Sequence, residues 1–338
     1  MGTTGKPQLV MVHGIGGPRK ADEERREWKR ALAEGAREAG YADAISALTM
    51  DWSVDTSFAY YGDLFTSGGE QQGTAVPDQD EELAHLVLAV VREFIDALAA
   101  SSEHGQDTAA LQRLRVQAEP ELTGLDGRPL QPEGVGGSAR RAAAVCAKLA
   151  RLPGVQVGLQ RASAVRLFGI LSQPGRYLRR KEPLPGRDGQ GSTLDARIRA
   201  RVLDVLDPQR PAIVIGHSLG SVVAMEALAE YEGPVPLFVT LGSPLATNAL
   251  VWQRLRPRPP SVPPTVGRWL DVWDGDDPVV PRRRLAELVA PSPSGVRPEP
   301  LPLSSRVLWT HPATAYLRRS EVARPVMAAI ARLSPVAS

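Results

Sequence analysis

Gly216-His217-Ser218-Leu219-Gly220 is a G-x-S-x-G pentapeptide set between two segments of opposite character. Ala212-Ile213-Val214-Ile215 before it is a short β-branched run bounded by Pro211, the pattern of a buried strand. Ser221 to Tyr231 after it, with Val222, Val223, Met225, Ala227 and Leu228, reads as a helix. Strand, tight turn and helix in that order are the context of a nucleophile elbow. Such a turn is strained and crowded, so its flanking positions must lack bulk, and glycine supplies that. The Ser218 hydroxyl is therefore expected at the end of a parallel strand, with a helix N-terminus beneath it.

A serine used for acyl transfer needs two backbone N–H donors aimed at the developing oxyanion. One is expected from Leu219, the residue after the serine. The other is expected from the loop after an early strand, and Leu9-Val10-Met11-Val12 followed by His13-Gly14-Ile15-Gly16-Gly17 has that form. Ile15 is the first choice for this donor and Gly16 the next. His13, Gly14, Gly16 and His217 border the same space and are candidate substrate-binding residues. The loop is not a phosphate cradle of known form: G-x-G-x-x-G would need glycine where Arg19 stands, and the chain has no G-x-x-x-x-G-K-[ST] run.

The acid and the base are expected to follow the serine in the chain. After Ser218 only one histidine remains, His311, in Trp309-Thr310-His311-Pro312 just before a helix predicted from about Ala313. The carboxylate that would hold its tautomer belongs at the end of a strand. Arg268-Trp269-Leu270-Asp271-Val272-Trp273 reads as that strand and runs into Asp274-Gly275-Asp276-Asp277. Asp274, Asp276 and Asp277 are all candidates, with turn formation and capping as their ordinary roles. His217 leaves the turn in another direction from its neighbour, for packing or support rather than base catalysis. His85, predicted on a helix, and His104, in a loop, have no assigned role, and no His/Cys/Asp spacing forms a zinc motif. No metal and no cofactor is expected.

Taken together, His13-Gly14-Ile15-Gly16-Gly17, the Ser218 elbow, Asp277-Pro278-Val279-Val280-Pro281 and His311 resemble an α/β-hydrolase over residues 7–55 and about 195–335. Leu241-Gly242-Ser243-Pro244-Leu245 is similar to the G-S-P turn after the strand that follows the elbow in class 3 lipases and in relatives of the glycosylphosphatidylinositol inositol-deacylase. The resemblance implies an α/β fold, a doubly wound and mostly parallel sheet, with Asp277 as the acid. It also implies hydrolysis of carboxylic esters, often with lipid-like acyl chains. Thioesterase, acyltransferase and peptidase chemistry share every motif, and a noncatalytic binding or regulatory protein of the same fold is the alternative from a different class.

The 205 residues from His13 to Ser218 exceed what two βα units need. Ala21 to Ala39 reads as a helix with Trp28, Leu32 and Ala36 on one face, and Ala44 to Met50 as a strand. Residues 56–194 are then expected to be a mainly helical insertion or lid, with helices at Glu82–Ala100, Arg140–Leu152 and Gly158–Leu171. Charge is segregated within it. Residues 70–107 hold nine acids against Arg92 alone, and residues 139–182 hold ten bases against Glu182 alone. Two solvated faces pairing with each other account for this. The sharper reading is an anionic partner, a phospholipid headgroup or an acyl-carrier protein, on the basic 139–182 segment.

With 338 residues and 43% hydrophobic composition, the chain can bury a substantial core. The net charge of +2 and sparse aromatic residues speak against nucleic acid as a partner. Cys146 is the single cysteine, the N-terminus shows no signal-peptide core, and the expected location is the cytoplasm. Residues 256–264 and 291–302 are proline-rich and predicted as stiff loops.

Overall fold

The structure, a computed structural model, describes residues 5–15, 20–65, 144, 173–180, 182–184, 192–246, 251–275, 277, 280, 285–305 and 311–334. Its centre is a six-stranded, wholly parallel sheet. The strands are β1 (Gln8–Val12), β2 (Asp55–Ala59), β5 (Ala212–His217), β6 (Leu237–Leu241), β7 (Trp269–Asp274) and β8 (Pro298–Leu303). Two short strands, β3 (Pro183–Leu184) and β4 (Ser192–Thr193), pair separately and antiparallel. The main order is β2-β1-β5-β6-β7-β8.

Both faces of this sheet are covered, so its strands are apolar at consecutive positions rather than at alternate ones. Val10, Val12, Val214, Phe238 and Trp269 face α3 (Leu194–Leu203) and α4 (Leu219–Leu228). Leu9, Met11, Ile213, Ile215, Val239 and Val272 face α1 (Ala21–Glu38) and α7 (Ser320–Leu333). Three acids in the first turn of α1 and Arg37 in its last suit the helix dipole, and Trp28, Leu32 and Ala36 are buried as their i, i+4 spacing requires.

The segment predicted as a strand at Ala44–Met50 is instead a 3₁₀ turn followed by α2 (Ile45–Thr49). Its inward positions are Ile45 and Leu48, three apart, which pack under α1; alternation is not the pattern that is buried. The strand of this region is β2, beginning at Asp55. Beyond it Tyr61, Leu64 and Phe65 enter the same core as α4, as do Tyr177 and Leu178 from the helical turn at 173–178. Both described ends of the 56–194 interval therefore belong to the core layer. The predicted helices at Glu82–Ala100, Arg140–Leu152 and Gly158–Leu171 lie outside the described residues. Among the described residues no helix is long and apolar enough to cross a membrane.

Part of the second proline-rich stretch is also a strand. In β8 the Leu303 carbonyl accepts from Gly275 N–H, which turns the odd-numbered residues toward β7. Pro298, Pro300 and Pro302 fall on the outer side, where the missing N–H leaves no ladder bond unmade.

Candidate active site

The strand order reverses at β1: the chain steps to β2 on one side and resumes with β5 on the other. In open α/β sheets ligands bind at the carboxyl ends of the strands beside such a switch point. Ser218 follows β5 there, and His13-Gly14-Ile15 follow β1.

Ser218 has φ 51° and ψ −129°, a conformation that costs a non-glycine residue on the order of 1–3 kcal/mol. The surroundings hold it. Its N–H donates to the Leu241 carbonyl at 3.0 Å, and its own carbonyl accepts the Ser221 hydroxyl at 2.6 Å. With the Ser221 proton committed there, Ser243 Oγ, 2.6 Å away, is the donor to Ser221 Oγ and in turn accepts from Leu245 N–H. The Gly242-Ser243-Pro244 turn is thus tied to the elbow. The glycines make room: a Cβ on Gly220 would collide with the Val12 and His13 carbonyls, and one on Gly14 would lie 2.7 Å from Ser218 Cβ. Leu219 opens α4, so its N–H has no acceptor within the helix. Ile15 follows Gly14 directly and packs partly against the core beside α4, while Gly16 and Gly17 lie outside the described residues.

His311 and Asp277 meet. Nδ1 of His311 is 2.9 Å from Oδ2 of Asp277 and 3.1 Å from Oδ1. A carboxylate only accepts, so Nδ1 carries a proton, and in the neutral imidazole this is the tautomer that leaves the lone pair on Nε2. That Nε2 is buried and has no hydrogen-bond partner among the described residues, Ser218 Oγ included. The Asp277 side chain is wholly buried, in a turn where its N–H donates to the Asp274 carbonyl at the end of β7. Of the other acids considered, Asp274 accepts the Ser305 hydroxyl and Asp276 is outside the described residues.

Sequence reasoning missed Tyr316, in α6 (Ala313–Leu317). Its hydroxyl donates to Asp277 Oδ2 at 2.6 Å and accepts from Asp274 N–H at 3.3 Å. Burial first, and the Asp277 charge second, push this hydroxyl well above the ordinary tyrosine range, so it remains a donor. The only sequence signal was its place five residues after His311. Gly242, at φ +53°, completes the wall: a Cβ there would lie 2.9 Å from Asp277 Oδ2 and 3.3 Å from His311 Nδ1.

The two other histidines of the region, His13 and His217, each have a backbone partner. His217 Nε2 lies 2.6 Å from the His311 carbonyl, which can only accept, so the ring donates and helps to fix the His311 backbone. The His13 ring stacks with Tyr61 at 4.1 Å and Tyr60 at 5.0 Å, and its Nε2 accepts the Tyr61 N–H. Among the described residues no group of three or more His, Cys, Asp or Glu side chains comes together in a way that could hold a metal ion.

The described members of the basic 139–182 segment are bound within the fold. Arg176 grips both oxygens of Glu182, Arg179 lies 3.6 Å from that carboxylate, and Arg180 pairs with the buried Glu226 of α4. The remaining bases of that segment lie outside the described residues. In comparisons with known protein families, with curated proteins and with solved structures, nothing matches this chain.

Proposed function

We propose that the protein is a serine hydrolase of the α/β-hydrolase type that cleaves carboxylic esters through Ser218, His311 and Asp277. The observation that carries the reading is the Asp277–His311 pair: a buried carboxylate on Nδ1, and a buried Nε2 without a partner among the described residues, on a sheet whose elbow serine is held at φ 51°. The switch-point position of Ser218 adds to it.

In this mechanism His311 Nε2 takes the Ser218 proton as Oγ attacks the ester carbonyl carbon. The N–H groups of Leu219 and Ile15 receive the oxyanion. Asp277 holds the Nδ1–H and balances the imidazolium. The tetrahedral adduct collapses, His311 returns the proton to the departing alcohol, and an acyl-serine remains. Water, deprotonated by His311, attacks that acyl carbon; the acid leaves and Ser218 regains its proton. Medium or long acyl chains are the proposed substrates, and a chain with one cysteine fits a reducing compartment such as the cytoplasm.

The absence of a Ser218–His311 hydrogen bond favours a second reading, a noncatalytic protein of the same fold, although such bonds are often loose before substrate binds. A fluorophosphonate probe separates the two. Labelling of the wild type that is lost in Ser218→Ala supports the hydrolase, and a panel of ester, thioester and amide substrates then ranks hydrolase, thioesterase and peptidase. A folded wild type that does not label supports the noncatalytic reading.

A further inference from the structure

A groove of about 510 Å³ runs between residues 178–180 and the loop after β6. Five of its nine lining residues are arginines, Arg179, Arg180, Arg254, Arg256 and Arg258, and none is acidic. Arg179 and Arg180 are already ion-paired, to Glu182 and to Glu226 with Asp195, whereas Arg256 and Arg258 add two further positive charges to a groove with no acidic lining residue, which favours an anion there. Glu226 and Asp195, the carboxylates paired with Arg180, are themselves buried and are not among the groove's lining residues.

Arg180 supplies a second observation. Its side chain is 6% exposed, it accepts a left-handed φ of 59°, and the Tyr177 ring lies 4.6 Å from its guanidinium carbon. Nη2 bonds Glu226 and the Arg254 carbonyl. Nε and Nη1 are buried and form no hydrogen bond among the described residues; Nη1 is 3.5 Å from Asp195 Oδ2, too far for a strong one. Across the groove Arg256 gives only its backbone N–H to Glu226, and Arg258 reaches the Trp252 carbonyl. Among the described residues neither of these two exposed guanidinium groups forms an ion pair. Pro257, Pro259 and Pro260 restrict the loop that presents them.

We propose that this groove is a binding site for a phosphate-bearing ligand, with Arg256 and Arg258 as its outer donors and Arg180 as its fixed inner wall. Planar guanidinium forks match phosphate oxygens two at a time, which a row of lysines would not do. The site is separate from Ser218: Glu226, which anchors its wall, is eight residues further along α4, about 12 Å at 1.5 Å per residue. Occupancy therefore does not depend on the proposed catalytic reading.

The test is calorimetric titration of the full-length protein with inorganic pyrophosphate at low ionic strength, for the wild type, Arg256→Ala/Arg258→Ala and Ser218→Ala. Both arginines are exposed, and an unchanged melting temperature verifies that the double variant folds. Expected are saturable binding by the wild type and Ser218→Ala and at least tenfold weaker binding by the double variant. Arg26→Ala/Arg37→Ala, on the exposed side of α1, is expected to bind like the wild type. Co-sedimentation with phosphatidylglycerol vesicles, competed by pyrophosphate, identifies a lipid headgroup as the source. Pyrophosphate binding without co-sedimentation identifies a soluble phosphoester. No binding, or equal losses in the two double variants, overturns the site.

Discussion

Tyr316 donates its hydroxyl, at 2.6 Å, to the same Asp277 oxygen that lies 2.9 Å from His311 Nδ1. One carboxylate oxygen therefore receives two donors, and the phenol fixes where the other, the imidazole, must stand. Because Asp274 N–H also donates to that hydroxyl, the end of β7, the acid and α6 are locked together.

Tyr316→Phe keeps the ring and removes the donor. A hydrogen bond to a charged group contributes roughly 1.5–3 kcal/mol. The expected result is a kcat about tenfold lower or worse for ester hydrolysis, with KM unchanged, because the tyrosine orients the base without touching substrate. A rise in KM with kcat intact would place Tyr316 in substrate binding.

Asp277→Asn and Asp274→Asn separate the candidate acids. Asparagine at 277 can turn its NH₂ toward Nδ1 and favour the wrong imidazole tautomer, so kcat/KM is expected to fall on the order of 10³-fold or more. Asp274 binds Ser305 instead, and Asp274→Asn is expected to change kcat/KM less than tenfold. Steady-state kinetics on a soluble ester decide the order.

Asp271 gives a pH-dependent stability with a definite sign. It is buried in β7, and burial raises its pKa from 3.8 to about 6, opposed by the Thr240 hydroxyl at 2.7 Å. The folded state binds this proton more tightly than the unfolded chain. Its contribution is therefore fully present below about pH 4 and is lost as pH rises through about 6. The amount at stake is roughly 3 kcal/mol by neutral pH. Asp271→Asn, which can still accept from Thr240, is expected to unfold at higher urea than the wild type at pH 7.5 and to lose that advantage at pH 4. Parallel urea curves at the two pH values check it.

Glu226→Gln should be among the most damaging changes away from Ser218. Glu226 accepts from Tyr177, Arg180 and Arg256 N–H, and its removal leaves the Arg180 charge buried without its main partner. Breaking one side of a buried pair costs about 3–5 kcal/mol, while replacing both sides with apolar groups costs far less. Chemical denaturation of Glu226→Gln and of Arg180→Met/Glu226→Leu is expected to show the double variant as the more stable.

The sheet and the serine turn were legible because they rest on local signals. β1, β5 and β7 are short runs rich in apolar residues that lead into glycine- or aspartate-bearing turns, and α1 repeats at helical spacing. Helix α2 was misread because five residues give too little length to tell alternation from a helical face, and burial under α1 decides the matter. Strand β8 was misread because Pro298, Pro300 and Pro302 signal a loop unless the outer side of the strand is known. At the candidate site, His311 was found by elimination. Tyr316 was not, because nothing local to a helix shows which strand end lies opposite it. The ion pairs of Arg176 and Arg180 were hidden for the same reason: a basic run in sequence looks exposed until its partners fold beside it.

The prolines of β8 bear on association as well as on folding. A sheet margin normally invites a passing extended segment by presenting amide hydrogens and carbonyls in turn. This margin presents carbonyls with no amide hydrogen between them over Pro298 to Pro302, so an incoming strand would lose half its lattice of bonds. The side of the sheet beyond β7 is thereby protected against runaway stacking of chains at high concentration, without a single charged side chain being required for it.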